Sequence, residues 1–199
     1  MLENVRRLFR PALLLLLERT VFRKMTITEV EIDLRMRESA VDWIKASSYV
    51  SIFPDDLKHL TLEIPTSSRG KQKVFLFCFH RSLPPHLVVQ YLRAKGFEPG
   101  VYDHLLAVEA LARPSTQSSI IAPGTVRQIT FLEKERLSCP MVYYGDPAPG
   151  RTLTMTDMSH STSSDAYFIA TRDPFAAQAA RSVLGQPPPG GAMEFDSVR

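Results

Sequence analysis

The sequence predicts an α+β fold, and three observations carry that prediction. Apolar residues alternate with polar ones over short segments, as at Val30, Ile32 and Leu34, which is the period of a strand with one solvated face. Residues 74–79 form an unbroken apolar run, Val-Phe-Leu-Phe-Cys-Phe, as expected of a strand covered on both faces. Residues 82 to 112 hold two helical patterns separated by Gly96-Phe97-Glu98-Pro99-Gly100. Together these predict one domain over 25–185: a mixed or mainly antiparallel sheet with a helix pair, about 84–95 and 101–112, packed on it.

The elements follow in order. A first strand spans about 26–35, with its apolar register shifting once at Glu29. Residues 39–45 predict a short helix with Trp43, the only tryptophan, as a core anchor. Asp55 and Asp56 start a helical turn at 57–59. Leu60, Leu62 and Ile64 alternate into a second strand that Pro65 stops. Residues 66–71 form a loop; its Arg69, with Lys71 and Lys73, is a candidate anion contact, although the spacing of a phosphate-binding loop is missing. In the first long helix Ser82 is an N-cap or the residue before it, the prolines suit a first turn, Leu87, Val88, Tyr91 and Leu92 form the buried face, and Gly96 ends it in a left-handed conformation. In the second, Leu105, Val108, Leu111 and Ala112 make the stripe. Further strands are expected at 120–122, 125–132, 140–144, 152–155 and 167–171, with a charged hairpin tip at 133–136, a turn at 145–150 and a polar loop at 160–165. Residues 173–181 suit a short helix. Pro187-Pro188-Pro189-Gly190-Gly191 forbids regular structure, so 186–199 reads as a disordered tail.

Residues 1–24 differ from the rest. They hold six basic residues against two acidic ones, which leaves 18 basic and 19 acidic residues beyond them. The body therefore has no basic excess to match a phosphate backbone, and general nucleic-acid binding is not expected. The apolar run at 11–17 is far shorter than the roughly 20 residues a membrane helix needs. Residues 1–24 thus read as an upstream extension ahead of Met25, as a helix docked on the domain, or as a targeting segment or membrane-surface anchor. Two cysteines, Cys78 and Cys139, make no disulfide framework, and a cytoplasmic compartment fits.

No motif carries a reaction. Cys78, His80 and His86 are the nearest approach to a metal cluster, but no metal-ligand spacing is present, so no metal or other cofactor is expected. Asp157-Met158-Ser159-His160 sets acid, hydroxyl and imidazole side by side, where adjacent residues seldom converge on one substrate atom. The functional expectation is a non-catalytic binding or protein-interaction module. Its contact surface would be the loop region 145–165, with Asp146, Arg151, Asp157, His160 and Asp165 as binding residues and a protein as partner. Two alternatives stand beside it: a small enzyme with dispersed catalytic residues (His80, His104, Cys139 and Asp157), and a membrane-surface protein anchored by 1–24.

Three pieces, covering about 25–172, resemble an uncharacterised bacterial protein family common in reduced-genome lineages. They are residues 25–37 with 49–64; Gly96-Phe97-Glu98-Pro99 with Asp103-His104-Leu105-Leu106-Ala107 and residues 120–128; and residues 139–144 with 167–172. The resemblance implies a domain starting at Met25 and brings no activity or binding residue with it. Where such proteins have a Leu-Gly-Ser or a Trp-rich pattern, this chain has Pro123-Gly124-Thr125 and a Trp-free loop at 156–165. At the level of fold, a Leu-Leu helix, a small-residue approach to a strand, a polar loop and a closing strand ending in Arg are similar to the C-terminal half of C-type lectin-like domains. Their disulfides and calcium-binding carboxylates have no counterpart here.

Overall fold

The structure, a computed structural model, describes residues 24–36, 39–47, 49, 51–52, 57, 62–64, 69–111, 118–131, 134–145 and 150–172. The expectations for 1–23, 53–56, 173–181 and 186–199 lie outside the described residues. Nine strands form one sheet: β1 (Thr26–Asp33), β2 (Ser51–Ile52), β3 (Lys71–Cys78), β4 (Glu98–Pro99), β5 (Ser119–Ile121), β6 (Arg127–Phe131), β7 (Lys134–Gly145), β8 (Gly150–Asp157) and β9 (Tyr167–Thr171). The helices are α1 (Ala40–Ser47), α2 (Pro85–Ala94) and α3 (Tyr102–Leu111). The main path runs β1-β3-β9-β5-β7-β8-β2, with β4 on β9 and β6 on β7. The β5–β9 and β2–β8 pairings are parallel and the others antiparallel. The α+β expectation holds, with a mixed sheet.

Successive residues of a strand point to opposite faces, and the core divides accordingly. Val74, Leu76, Ile120, Val142 and Ile169 join Trp43, Ile44, Tyr102, Leu105 and Leu106 on one face. Phe77, Phe79, Ile121, Cys139, Phe168 and Ala170 join Val88, Tyr91, Leu92 and Phe97 on the other. The two long helices therefore pack on the sheet from opposite sides: α3 lies with α1 on one face, and α2 is the one described helix on the other. This explains the apolar run of β3, which has a core against each face. Phe77 and Phe79 are buried to 1% exposure, each contributing about 1.5–3 kcal/mol by area.

Helix α2 begins with Pro85 in its first turn and ends as expected. Gly96 has φ 77°, the Gly96 N–H donates to Arg93 O at 3.1 Å, and the Phe97 N–H donates to Leu92 O at 2.9 Å. That is the paired closure of a helix ended by a left-handed residue. Ser82 does not cap it; its hydroxyl donates instead to Thr162 O. Helix α3 departs further from expectation. It has no single stripe, because Tyr102 through Glu109 are all buried, while Leu111 is exposed.

Residues 62–64 are not a strand. The alternation of Leu62 and Ile64 does bury them partly, but the backbone donors go elsewhere. The Glu63 and Ile64 N–H groups donate to the Asp103 carboxylate at 2.7 and 3.1 Å. The expected charged tip at 133–136 is also tighter: Lys134 already pairs with Phe131, so Lys134, Glu135 and Arg136 belong to β7. Strands β2 and β4, two residues each, carry too little pattern to be read from sequence. The loop cations near 69–73 are paired within the fold: Lys71 to Glu31 at 3.4 Å, Lys73 to Glu29 at 2.7 Å and Arg69 to Asp103 at 4.0 Å. None of the three is left as a dedicated anion contact.

Gly100 and Gly124 fix the junction of β4, β5 and β9. Gly100 N–H donates to Ile169 O at 2.8 Å, and Gly124 N–H to Gly100 O at 2.9 Å. A Cβ on Gly100 would lie 2.4 Å from Ile169 Cγ2, and one on Gly124 would lie 2.4 Å from Pro99 O. Three backbones meet here with no room for a side chain.

Candidate functional site

Two polar constellations stand out, at opposite poles of the sequence reading. The first is the loop between β8 and β9. Asp157 ends β8 and holds the next residues in place. Its Oδ1 accepts the Ser159 N–H and hydroxyl, each at 2.7 Å, and its Oδ2 accepts His160 Nδ1–H at 2.9 Å, with Arg136 Nη1 at 3.5 Å. Partial burial pulls the Asp157 carboxyl upward, but the Ser159 and His160 bonds outweigh it and leave the carboxyl below its usual range. The loop is also tied to the chain leading into α2. His86 N–H and Nδ1–H both donate to Met158 O, at 3.1 and 2.8 Å, and Thr162 N–H and hydroxyl donate to Leu83 O at 3.1 and 2.9 Å. Ser159, His160 and Ser161 remain exposed on this fixed frame. Leu137, 58% exposed, adjoins it, because Met158 N–H donates to Leu137 O at 2.8 Å.

Chemically the loop presents an imidazole. Asp157 takes the Nδ1 proton, so Nε2 points away as an acceptor. Ser159 Oγ stands 3.5 Å from Nδ1, not from Nε2, and gives its proton to Asp157. The imidazole thus does not activate that hydroxyl as a nucleophile.

The expected binding residues separate. Asp157 and His160 are in contact. Asp165 is half-buried in the turn before β9, and Asp146 lies outside the described residues. Arg151 turns away from this loop altogether. The dispersed catalytic set does not assemble either: His104 is on α3 beside one core, whereas Cys139 faces the other. Burial, with help from the Asp157 charge, pushes the Cys139 thiol up to about 12, the behaviour of an inert thiol. His80 Nε2 pairs with Thr26 Oγ1 at 2.7 Å and its Nδ1 with Cys78 Sγ at 3.6 Å, while His86 serves Met158. No group of three or more His, Cys, Asp or Glu placed to hold a metal occurs among the described residues.

The second constellation, around α3, was not read as a unit from the sequence, which singled out His104 and Arg151 but neither Asp103 nor Glu109. Asp103, His104 and Glu109 are buried to 2%, 4% and 1% exposure. Asp103 accepts the two N–H groups of 63 and 64, as above; burial raises its carboxyl despite them. His104 Nδ1 accepts the Val101 N–H at 3.1 Å, so the proton sits on Nε2, 3.2 Å from Gln72 Oε1. Thr125 Oγ1 accepts the Tyr102 N–H at 2.7 Å and donates to Glu63 Oε1 at 2.6 Å. Tyr102 Oη donates to Leu57 O at 2.9 Å. The helix start therefore staples Leu57, Glu63 and Ile64 to the body.

At the far end of α3, Arg151 Nη1 reaches Glu109 Oε2 at 3.4 Å, Glu109 O at 3.5 Å and Ser47 O at 3.2 Å. Glu109 Oε1 and Tyr144 Oη are buried without a hydrogen-bond partner. Burial raises the Glu109 carboxyl to about 7 against the opposing pull of Arg151. Burial and then the Glu109 charge raise the Tyr49 hydroxyl, and a hydrogen bond with the Ser47 side chain opposes the rise. The one sequence signal was a lone acid inside the apolar run Leu105-Leu106-Ala107-Val108-Glu109-Ala110-Leu111.

The sign of the Glu109 effect is definite. Its folded value lies above the unfolded 4.5, so the folded state holds the proton more tightly. Its contribution is fully present below pH 4.5 and is lost as pH rises through about 7, a difference of roughly 3 kcal/mol. Glu109→Gln, which mimics the neutral acid, is expected to remove that fall. Chemical denaturation of both proteins from pH 4 to 8 checks this; parallel curves would refute the raised carboxyl.

The chain matches no known family model, no curated protein and no solved structure. Among the described residues no helix is long and apolar enough to cross a membrane.

Proposed function

We propose that the protein is a non-catalytic protein-interaction module whose contact surface is the β8–β9 loop, with Leu137 beside it. The carrying observation is a loop that is exposed at Ser159, His160 and Ser161 yet held by Asp157, His86 and Thr162. A loop fixed before binding loses little conformational freedom on contact, which favours affinity. The matching partner surface offers a hydrogen-bond donor to His160 Nε2 and an apolar group to cover Leu137. A photo-crosslinker placed at Ser161 in the full chain tests the proposal. A discrete adduct should form in cells, and the Leu137→Ser/His160→Ala double variant should reduce it at least about tenfold, as for central contact residues. An adduct equally strong with the double variant would rule this surface out.

A further inference from the structure

Arg172 follows β9 directly and belongs to neither constellation. Phe168 and Ala170 of β9 lie in the core with α2, and by alternation Arg172 leaves the sheet on that same face. There its guanidinium carbon lies 4.5 Å from the centre of the Phe97 ring and 5.4 Å from that of Phe75. The two rings meet edge to face at 5.3 Å and form one fixed corner. A guanidinium stacked on rings keeps its N–H groups, which lie in its own plane, directed outward. Among the described residues nothing accepts them: Arg172 has no hydrogen bond and no ion pair there. The arginines inside the strands differ. Arg127, Arg136 and Arg151 each reach a carboxylate, at 3.9, 3.5 and 3.4 Å.

We propose that Arg172 binds the carboxylate of a small apolar acid, whose apolar body rests on Phe75 and Ile27. A carboxylate matches the guanidinium fork with two parallel N–H···O bonds. One unpaired cation calls for one negative charge. A phosphate dianion would call for a second, and Lys73, next in register beside Arg172, is held by Glu29 at 2.7 Å. That same pair neutralises Glu29, which lies opposite Phe75 and would otherwise repel an anion. Glu98 pairs with Thr171 and so leaves by the other face of the sheet. The apolar body follows from the register. Phe75 is half-buried, and Ile27, opposite Phe77 and thus diagonal to Phe75, is 46% exposed. Both are apolar surface open to solvent on the face where Arg172 lies.

The test uses the full chain at pH 7, with benzoate as the probe and benzamide, its neutral counterpart of similar shape, as control. Benzoate should shift the NMR signals of the Arg172 Nε–H and the Ile27 methyl groups saturably. Benzamide should leave the Arg172 signal in place. Arg172→Lys, which keeps the charge but loses the fork, should weaken benzoate binding about tenfold, the scale of one hydrogen bond to a charged group. Arg172 is exposed, so this replacement leaves the core intact. Three results would overturn the proposal: no saturable shift with benzoate, an equal Arg172 response to benzamide, or an undiminished affinity in Arg172→Lys. None of these results bears on the β8–β9 loop, so the two proposals stand or fall separately.

Discussion

Replacing Gly124 with alanine is expected to destabilise the fold by about 3 kcal/mol or more. The new methyl would stand 2.4 Å from Pro99 O and 2.9 Å from Gly100 O, both backbone atoms. A flexible side chain could swing aside, but these carbonyls belong to the junction where β4 and β5 share one edge of β9. Relief requires moving the Gly124–Gly100 hydrogen bond and with it the approach to α3. Overpacking a core commonly costs 1–3 kcal/mol, and a backbone obstacle puts this case at the upper end. Gly70→Ala is the control, since nothing lies within 4 Å of its added carbon. Equilibrium denaturation of both variants decides the matter. Equal stability would mean that the junction yields more than its packing suggests.

Asp103→Ala should have a comparable effect by a different route. The substitution leaves the Glu63 and Ile64 N–H groups without their acceptor in a partly buried setting and removes the anion 4.0 Å from Arg69. Each orphaned donor costs about 1–3 kcal/mol if nothing replaces the carboxylate. The expected result is a global loss of about 3 kcal/mol together with faster amide exchange at 63 and 64. Hydrogen exchange separates this from a general loosening, because α2 on the opposite face should keep its relative protection. Unchanged exchange at both amides would refute the clamp.

These two sites also show what was legible in the chain. Strand β9 was readable to the residue, because its apolar run and flanking polar loop agree. The end of α2 was readable because Gly96 occupies a conformation that few other residues accept. Residues 62–64 were not, because the alternation of Leu62 and Ile64 reports partly buried side chains and not where the backbone donors go. A carboxylate about 40 residues away takes the place of a neighbouring strand, and no local pattern encodes that. Helix α3 defeated the stripe argument for a related reason: it is enclosed all round, so apolar and charged residues alike point inward. Of the expected binding residues, Asp157 and His160 meet because they lie three positions apart. Arg151 could not be placed from sequence, since its partner Glu109 belongs to a helix 42 residues upstream.

The position of β9 has one more consequence. Among the described strands it alone joins β1 and β3 to β5, β7 and β8. It is also the last of them to be synthesised. Until residues 167–171 leave the ribosome, the two halves of the sheet have no strand in common, and the phenylalanines of β3 lack the partner that covers their open edge. The fold is thus an arch whose keystone is laid last. Its completion is a single late event that joins segments made nearly a hundred residues apart.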